Sequence, residues 1–252
     1  MDFVIPYFQI PPLQIFNLSI HTFEILTALG IYLGIQRSIS MAEGRKLNSK
    51  HIIDAILISI VCGFVGAHLM HILLYERDFS SVAKFFQIGK GISSTGGFLT
   101  GGIACWLFLR WKKLSILDYG DCMIGGLLLA QFFGRIGCFT AHDHPGILTS
   151  MPWGVTFPDG TRHDLGFEEA ILIGTYLLLT LIPAIKHWLN QESGSWMTSG
   201  ILFYGMMRFG LDFLRARDIE AADPRYWGLT PAQYVCLIFI AVGIVYKKKV
   251  VK

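Results

Sequence analysis

The run Gly134-Arg135-Ile136-Gly137-Cys138-Phe139-Thr140-Ala141-His142-Asp143-His144-Pro145-Gly146 sets a cation beside a cluster of proton-transfer groups. Arg135 lies near the end of a long apolar stretch, Ile116 to Phe139, that also carries Asp118 and Asp121 near its start. An ionised side chain at bilayer depth costs about 2.5–3.5 kcal/mol on insertion scales, so a guanidinium there requires an anionic partner. The His-Asp-His that follows sits where such a helix leaves the hydrocarbon. A neutral imidazole accepts a proton near neutral pH, and an adjacent carboxylate orients it or stabilises its charged form. His142, Asp143 and His144 are therefore candidates for acid–base work, with an idle pair of loop histidines as the plain alternative.

Further cations share the pattern. Arg208 and Arg215 are seven apart, which puts them on one face of a helix, and Asp212 between them is a ready partner. Arg162 lies in the loop after Arg135. Guanidinium forks match phosphate geometry, so Arg135, Arg208 and Arg215 read as a site for a lipid phosphate. Three arginines against one nearby acid leave an excess of positive charge. The competing reading is an Arg–Asp–Arg lattice that only orients helices. His142, His144 and His163, joined by His68 and His71, offer a metal site as a third option, without any of the tighter zinc spacings. Glu168 and Glu169 open a helix, where acids complement the macrodipole. Thr95-Gly96-Gly97 opens the backbone for close approach of a ligand or of another helix.

These residues must be positioned by membrane helices. The chain has 252 residues, 53% hydrophobic and 15% charged. Soluble domains carry about 25% charged residues, so the composition predicts an integral membrane protein, all-α and a single transmembrane domain over 1–252. Apolar segments at about 20–37, 52–75, 92–110, 116–139, 168–186, 197–215 and 229–246 predict a bundle of seven spans. Basic residues cluster at Arg37, Arg45, Lys46 and Lys50, at Arg110, Lys112 and Lys113, and at Lys247, Lys248, Lys249 and Lys252. By the positive-inside rule those regions are cytoplasmic and the amino terminus lies outside. Arg77, Lys84 and Lys90 in the second connection, mixed with Glu76 and Asp78, oppose that only modestly. A loop at about 140–167 then faces outward, with Pro158-Asp159-Gly160 as a turn and Trp153 as an interfacial anchor. The first residues lack a basic n-region and a cleavage site, so the first helix is expected to stay. The net charge of +3 is spread over several loops, with no basic tract interleaved with aromatics, which argues against nucleic acid. Five scattered cysteines suggest no disulfide framework. Four of them, Cys62, Cys105, Cys122 and Cys236, read as packing, and Cys138 stays open by its position.

Four motifs, in order, resemble those of the prolipoprotein diacylglyceryl transferases. Gly134 to Phe139 resembles the start of that family's signature, Gly-Arg-x-Gly-Asn-Phe, and Ser94-Thr95-Gly96-Gly97 stands where the family has Phe-His-Gly-Gly. Pro152-Trp153-Gly154-Val155 with Arg162-His163 is similar to the loop leading to its Arg-His-Pro-x-Gln-Leu-Tyr-Glu. Tyr204 to Phe209, ending in Asp212-Phe213-Leu214-Arg215, resembles its Tyr-Gly-x-x-Arg segment. Three departures stand out. Thr95 replaces the histidine, Cys138 replaces the asparagine, and Asp164-Leu165-Gly166-Phe167-Glu168 replaces the Pro-x-Gln-Leu-Tyr stretch.

The resemblance implies transfer of diacylglyceryl from phosphatidylglycerol to the thiol of a lipobox cysteine in a preprolipoprotein, at the outer face of a bacterial inner membrane. Arg135 and Arg208 would hold the phosphate, Arg215 matches a further arginine, and Asp143 and Glu169 fall on glutamate positions. Arg162, His163, Thr95, Gly96, Gly97 and Cys138 would complete the substrate site, with His142, Asp143 or His144 handling the thiol proton. No cofactor or metal is expected. The alternatives are a paralogue using another lipid or acceptor, a metal-assisted phospholipid hydrolase or headgroup transferase, and a lipid-binding protein without catalysis.

Overall fold

The computed structural model describes residues 4–16, 18–76, 93–219 and 222–250. Arg77, Asp78, Lys84 and Lys90 of the second connection, and Lys252 at the end, lie outside the described residues. Helices α1 (Thr22–Gly44), α2 (Ser49–His71), α3 (Ser94–Trp111), α4 (Ile116–Ala141), α5 (Leu165–Leu179), α6 (Pro183–Asn190), α7 (Ser195–Leu211) and α8 (Pro231–Val250) make up most of it. Their starts follow local chemistry. Asn48 accepts from the Lys50 N–H, Ser115 from Asp118, and Asp164 from Phe167, each supplying a helix with a missing acceptor.

Helix α1 packs along α4, α2 along α3, and α7 along α8. Glycines make these approaches possible. A Cβ on Gly34 would stand 2.5 Å from the Gly126 carbonyl oxygen, and one on Gly96 would stand 2.4 Å from the Met70 Cβ. Small residues at such seams allow the van der Waals contact that holds membrane helices together. Gly96 is thus committed to the α2–α3 seam, and Gly97 lies along it against Gly63 and Ala67.

Among the described residues, four helices are long and apolar enough to cross a bilayer: Thr22–Gly44, Ser49–Leu74, Ile116–Ala141 and Pro231–Lys248. A fifth candidate is the pair α5 and α6, bent by 81°. The continuous span expected at 168–186 is therefore broken. Pro183 offers no N–H and forces Ile182 into an extended conformation, so the helix cannot run through it. α7 has 17 residues and carries Arg208, and α3 has 18, opening on Ser-Thr-Gly-Gly; neither is long and apolar enough to count by itself. The protein is a mostly helical, multi-pass membrane protein.

The loop at 140–167 holds more structure than an all-α reading allows. Strands β4 (Pro145–Leu148), β5 (Val155–Phe157) and β6 (Gly160–Asp164) form a sheet with β1 (Ile5–Pro6), in the order β1-β5-β6-β4. β1 runs parallel to β5, and the other pairs are antiparallel. The Pro158-Asp159-Gly160 turn forms as expected, with Phe157 opposite Gly160 and Gly160 at φ 136°. β2 (Leu13–Ile15) and β3 (Leu18–Ile20) make a separate hairpin ahead of α1.

At the opposite end of α4, Asp121 is fully buried and joins three helices. Its carboxylate accepts from Arg45 Nη1 at 2.7 Å, and from the Gly194 and Met197 backbone N–H groups at 2.8 Å each. Asp121→Ala leaves all three donors without an acceptor, at a cost of about 3 kcal/mol. The expected result is a clearly lower unfolding temperature in detergent; an unchanged temperature would remove this assignment.

Candidate functional site

Arg135 on α4 and Arg208 on α7 meet. Each is buried, 5% and 4% exposed, and the fully buried Glu169 of α5 lies between them. Arg135 Nε lies 2.7 Å from Glu169 Oε2 as an ion pair, while the Arg208 Nη1 group contacts Glu169 Oε1. Arg208 Nη2 also reaches Asp212 Oδ1 at 3.2 Å. One buried carboxylate therefore fixes two guanidinium groups from helices far apart in sequence. Both arginines line a narrow cleft between α3, α4, α7 and α8, together with Ser94, Thr95, Tyr204 and Cys236. Its free volume of about 20 Å³ is close to that of one water.

Arg215 departs from its expected place. α7 stops at Leu211, a 3-10 turn follows over Asp212–Leu214, and Arg215 is extended at φ −61°, ψ 138°. The Arg215 N–H donates to the Asp212 carbonyl to close that turn, and the Asp212 side chain accepts from the Thr230 hydroxyl. Arg215 still shares Asp212 at 2.9 Å, and it reaches Asp223 at 2.6 Å. The expected excess of positive charge is thereby corrected. Arg135, Arg208 and Arg215 meet Glu169, Asp212 and Asp223, of which Glu169 comes from a distant helix and Asp223 from eight residues beyond Arg215.

The three histidines at 142, 144 and 163 go to different places. His142 ends α4 in a left-handed conformation, φ 51° and ψ 37°. Its Nδ1 lies 2.8 Å from Asp164 Oδ2, not beside Asp143. The ring stacks on Tyr7 at 4.6 Å and meets Phe8, Phe139 and Phe157 edge-on. Its side chain is 1% exposed, so His142 lies out of reach of a substrate. His163 Nδ1 sits 2.5 Å from Glu168 Oε1. The histidines thus do not converge as a three-imidazole metal site.

His144 does lie near the arginines. Its Nδ1 is 3.8 Å from Asp143 Oδ1, and its side chain is one-quarter exposed. Ligand atoms of Cys138, Asp143 and His144 lie within 4.8 Å of one another. Arg135 Nη1 stands 3.9 Å from the Cys138 sulfur, which makes this corner cationic and a poor place for a metal ion. Partial burial, and then the charges of Arg135, Arg215 and Arg208, hold the His144 imidazole well below its ordinary value. Burial pushes the Asp143 carboxyl up, against the pull of Arg135.

Arg162 is committed elsewhere. It forms forked pairs with Asp159 and Asp218 and donates to the Gly146 carbonyl, pinning β6 to the turn before it and to the segment after α7. Those two acids raise the Arg162 guanidinium, and Arg162 lowers both of them. Tyr204 was not singled out from the sequence as a site residue, yet it lines the cleft and accepts from Gln131 Nε2 at 3.2 Å. Its spacing of four before Arg208 puts both on one helix face, a signal present in the sequence.

Comparison with known proteins adds to this geometry. A family model described as prolipoprotein diacylglyceryl transferase matches residues 12–247. The phosphatidylglycerol–prolipoprotein diacylglyceryl transferase of Finegoldia magna is 26% identical over 247 residues, covering 95% of this chain and 96% of that protein. The protein of the same name from Nitratidesulfovibrio vulgaris is 30% identical over 225 residues, covering 85% and 82%. That of Clostridium tetani is 26% identical over 238 residues, covering 92% and 93%.

Proposed function

The chain belongs to the prolipoprotein diacylglyceryl transferase family, and on that premise we propose that it moves a diacylglyceryl group from phosphatidylglycerol to the thiol of a lipobox cysteine. The observation that carries this reading is the pair Arg135 and Arg208, bridged by Glu169 and lining one cleft. The reaction has two demands. The thiol must lose its proton, because the thiolate is the nucleophile. The departing phosphate must be held by fixed cations where water is scarce. Sulfur then forms a bond to the glyceryl carbon, the carbon–oxygen bond to phosphate breaks, and glycerol phosphate leaves with the electron pair.

Arg135 and Arg208 supply the cations, and the hydroxyls of Ser94, Thr95 and Tyr204 supply neutral donors around the same cleft. Cys138 borders the arginines without being needed as nucleophile, since that group comes with the protein substrate. Arg215 acts through Asp212 to keep Arg208 in place. Gly96 and Gly97 contribute by letting α3 approach α2, which sets where Thr95 stands. Arg162 and His163 organise the sheet beside the site.

We further propose seven crossings, with α3 and α7 spanning in company with α2 and α8 and the bent α5–α6 pair as one. The amino terminus lies outside, and the site faces the outer leaflet of a bacterial inner membrane. The distribution of basic loop residues supports this orientation. Incubating the purified protein with phosphatidylglycerol and a lipobox peptide tests the activity. The expected outcome is a peptide heavier by one diacylglyceryl group, with release of glycerol phosphate. A peptide of unchanged mass, or equal labelling of a cysteine-to-serine peptide, would reject the reading.

A further inference from the structure

We propose that His144, supported by Asp143 and Cys138, is the proton acceptor for the substrate thiol, and that a phosphate held by Arg135 and Arg208 is what readies it. This rests on the transferase reading. Three histidines are near the site, and two are already engaged. His142 is enclosed by aromatic rings and bound to Asp164, and His163 is locked to Glu168. His144 is one-quarter exposed and Asp143 side-chain exposure is 44%, so an incoming peptide can reach this corner.

The corner is continuous with the phosphate site. Arg135 Nη1 lies 3.9 Å from the Cys138 sulfur, the ligand atoms of Cys138, Asp143 and His144 lie within 4.8 Å of one another, and Asp143 stands beside His144. The charged and titratable groups around His144 are Arg135 and Cys138 from α4, Asp143 beside it, Asp164 at the end of β6, Arg208 from α7 and Arg215 beyond it. Arg135, Arg208 and Arg215, although each is paired with Glu169, Asp212 or Asp223, still oppose an imidazolium at His144. An anionic phosphate between Arg135 and Arg208 cancels part of that field, so the imidazole becomes a stronger base only once the leaving group is bound. The thiol proton then passes to His144 as the sulfur–carbon bond forms. The imidazolium returns its proton to the departing glycerol phosphate, and the site is neutral again.

Two measurements on the full chain in detergent test this. The first follows the His144 imidazole by NMR across pH, with and without glycerol phosphate as the probe; His144→Gln assigns the signal. The titration midpoint is expected to rise by about one unit or more when the probe is added. An unmoved midpoint overturns the proposal.

The second compares kinetics. His144→Gln is expected to lower kcat at pH 7 by about 100-fold, with KM for phosphatidylglycerol unchanged. The deficit should shrink toward pH 9, where a thiol of pKa about 8.5 ionises without a base. A loss equal at every pH, or no loss, overturns the role given to His144. The readings fail separately: no thioether from the unaltered protein overturns both, whereas normal thioether formation by His144→Gln overturns this one alone.

Discussion

Arg208→Ala is expected to lower kcat by about 1,000-fold or more, because it removes a preorganised cation from the place where negative charge develops on the leaving phosphate. Arg208 is almost wholly buried and lines the cleft with Arg135, so no surface residue or solvent can take over. The substitution also leaves Glu169 with one arginine in place of two, and folding must be checked beside activity. Arg208→Lys separates the two effects. It keeps the charge but not the planar fork that touches both Glu169 and Asp212, so the chain should fold and recover only part of the rate. Arg215→Ala serves as the contrast: Arg215 lies past the helix and is held by Asp212 and Asp223, and its loss should cost about tenfold or less. Rates of thioether formation with a lipobox peptide decide the matter. Near-normal turnover by a folded Arg208→Ala protein would remove the phosphate site.

The convergence of Arg135 and Arg208 was legible because a cation in an apolar segment has to find an anion, and two such segments with arginines near the same end are bound to share one. Glu169 was readable only in part. An acid in the first turn of a helix is explained by the macrodipole alone, and nothing local distinguishes Glu169, which bridges the arginines, from Glu168, which holds His163. The charge balance was misjudged for the same reason: Asp223 reaches Arg215 from the segment before α8, and short-range spacing cannot show that. His142 found Asp164, because β4 and β6 pair Pro145 with Asp164 and bring that carboxylate under the end of α4. Strands of three to five residues offer too little alternation to be seen. The break at Pro183 was visible as a residue but invisible to hydropathy, which averages across it.

The second large effect belongs to Glu169. Its carboxylate is the only acid in contact with both Arg135 and Arg208 among the described residues, and it is fully buried. Glu169→Ala would leave two guanidinium groups facing each other in a low dielectric, at a cost of about 3–5 kcal/mol, and the expected result is a poorly folded protein. Glu169→Gln is the informative change. It keeps the shape, lets one amide oxygen accept from the arginines, and turns a compensated pair into a cationic one. That variant should unfold at a lower temperature than the natural protein, yet gain more from glycerol phosphate, since the added anion replaces the charge that was taken away. Thermal unfolding in detergent, with and without glycerol phosphate, reads both effects in one experiment. If the anion raises the unfolding temperature of neither protein, the arginines form a lattice that only joins α4, α5 and α7, and the cleft between them holds no phosphate.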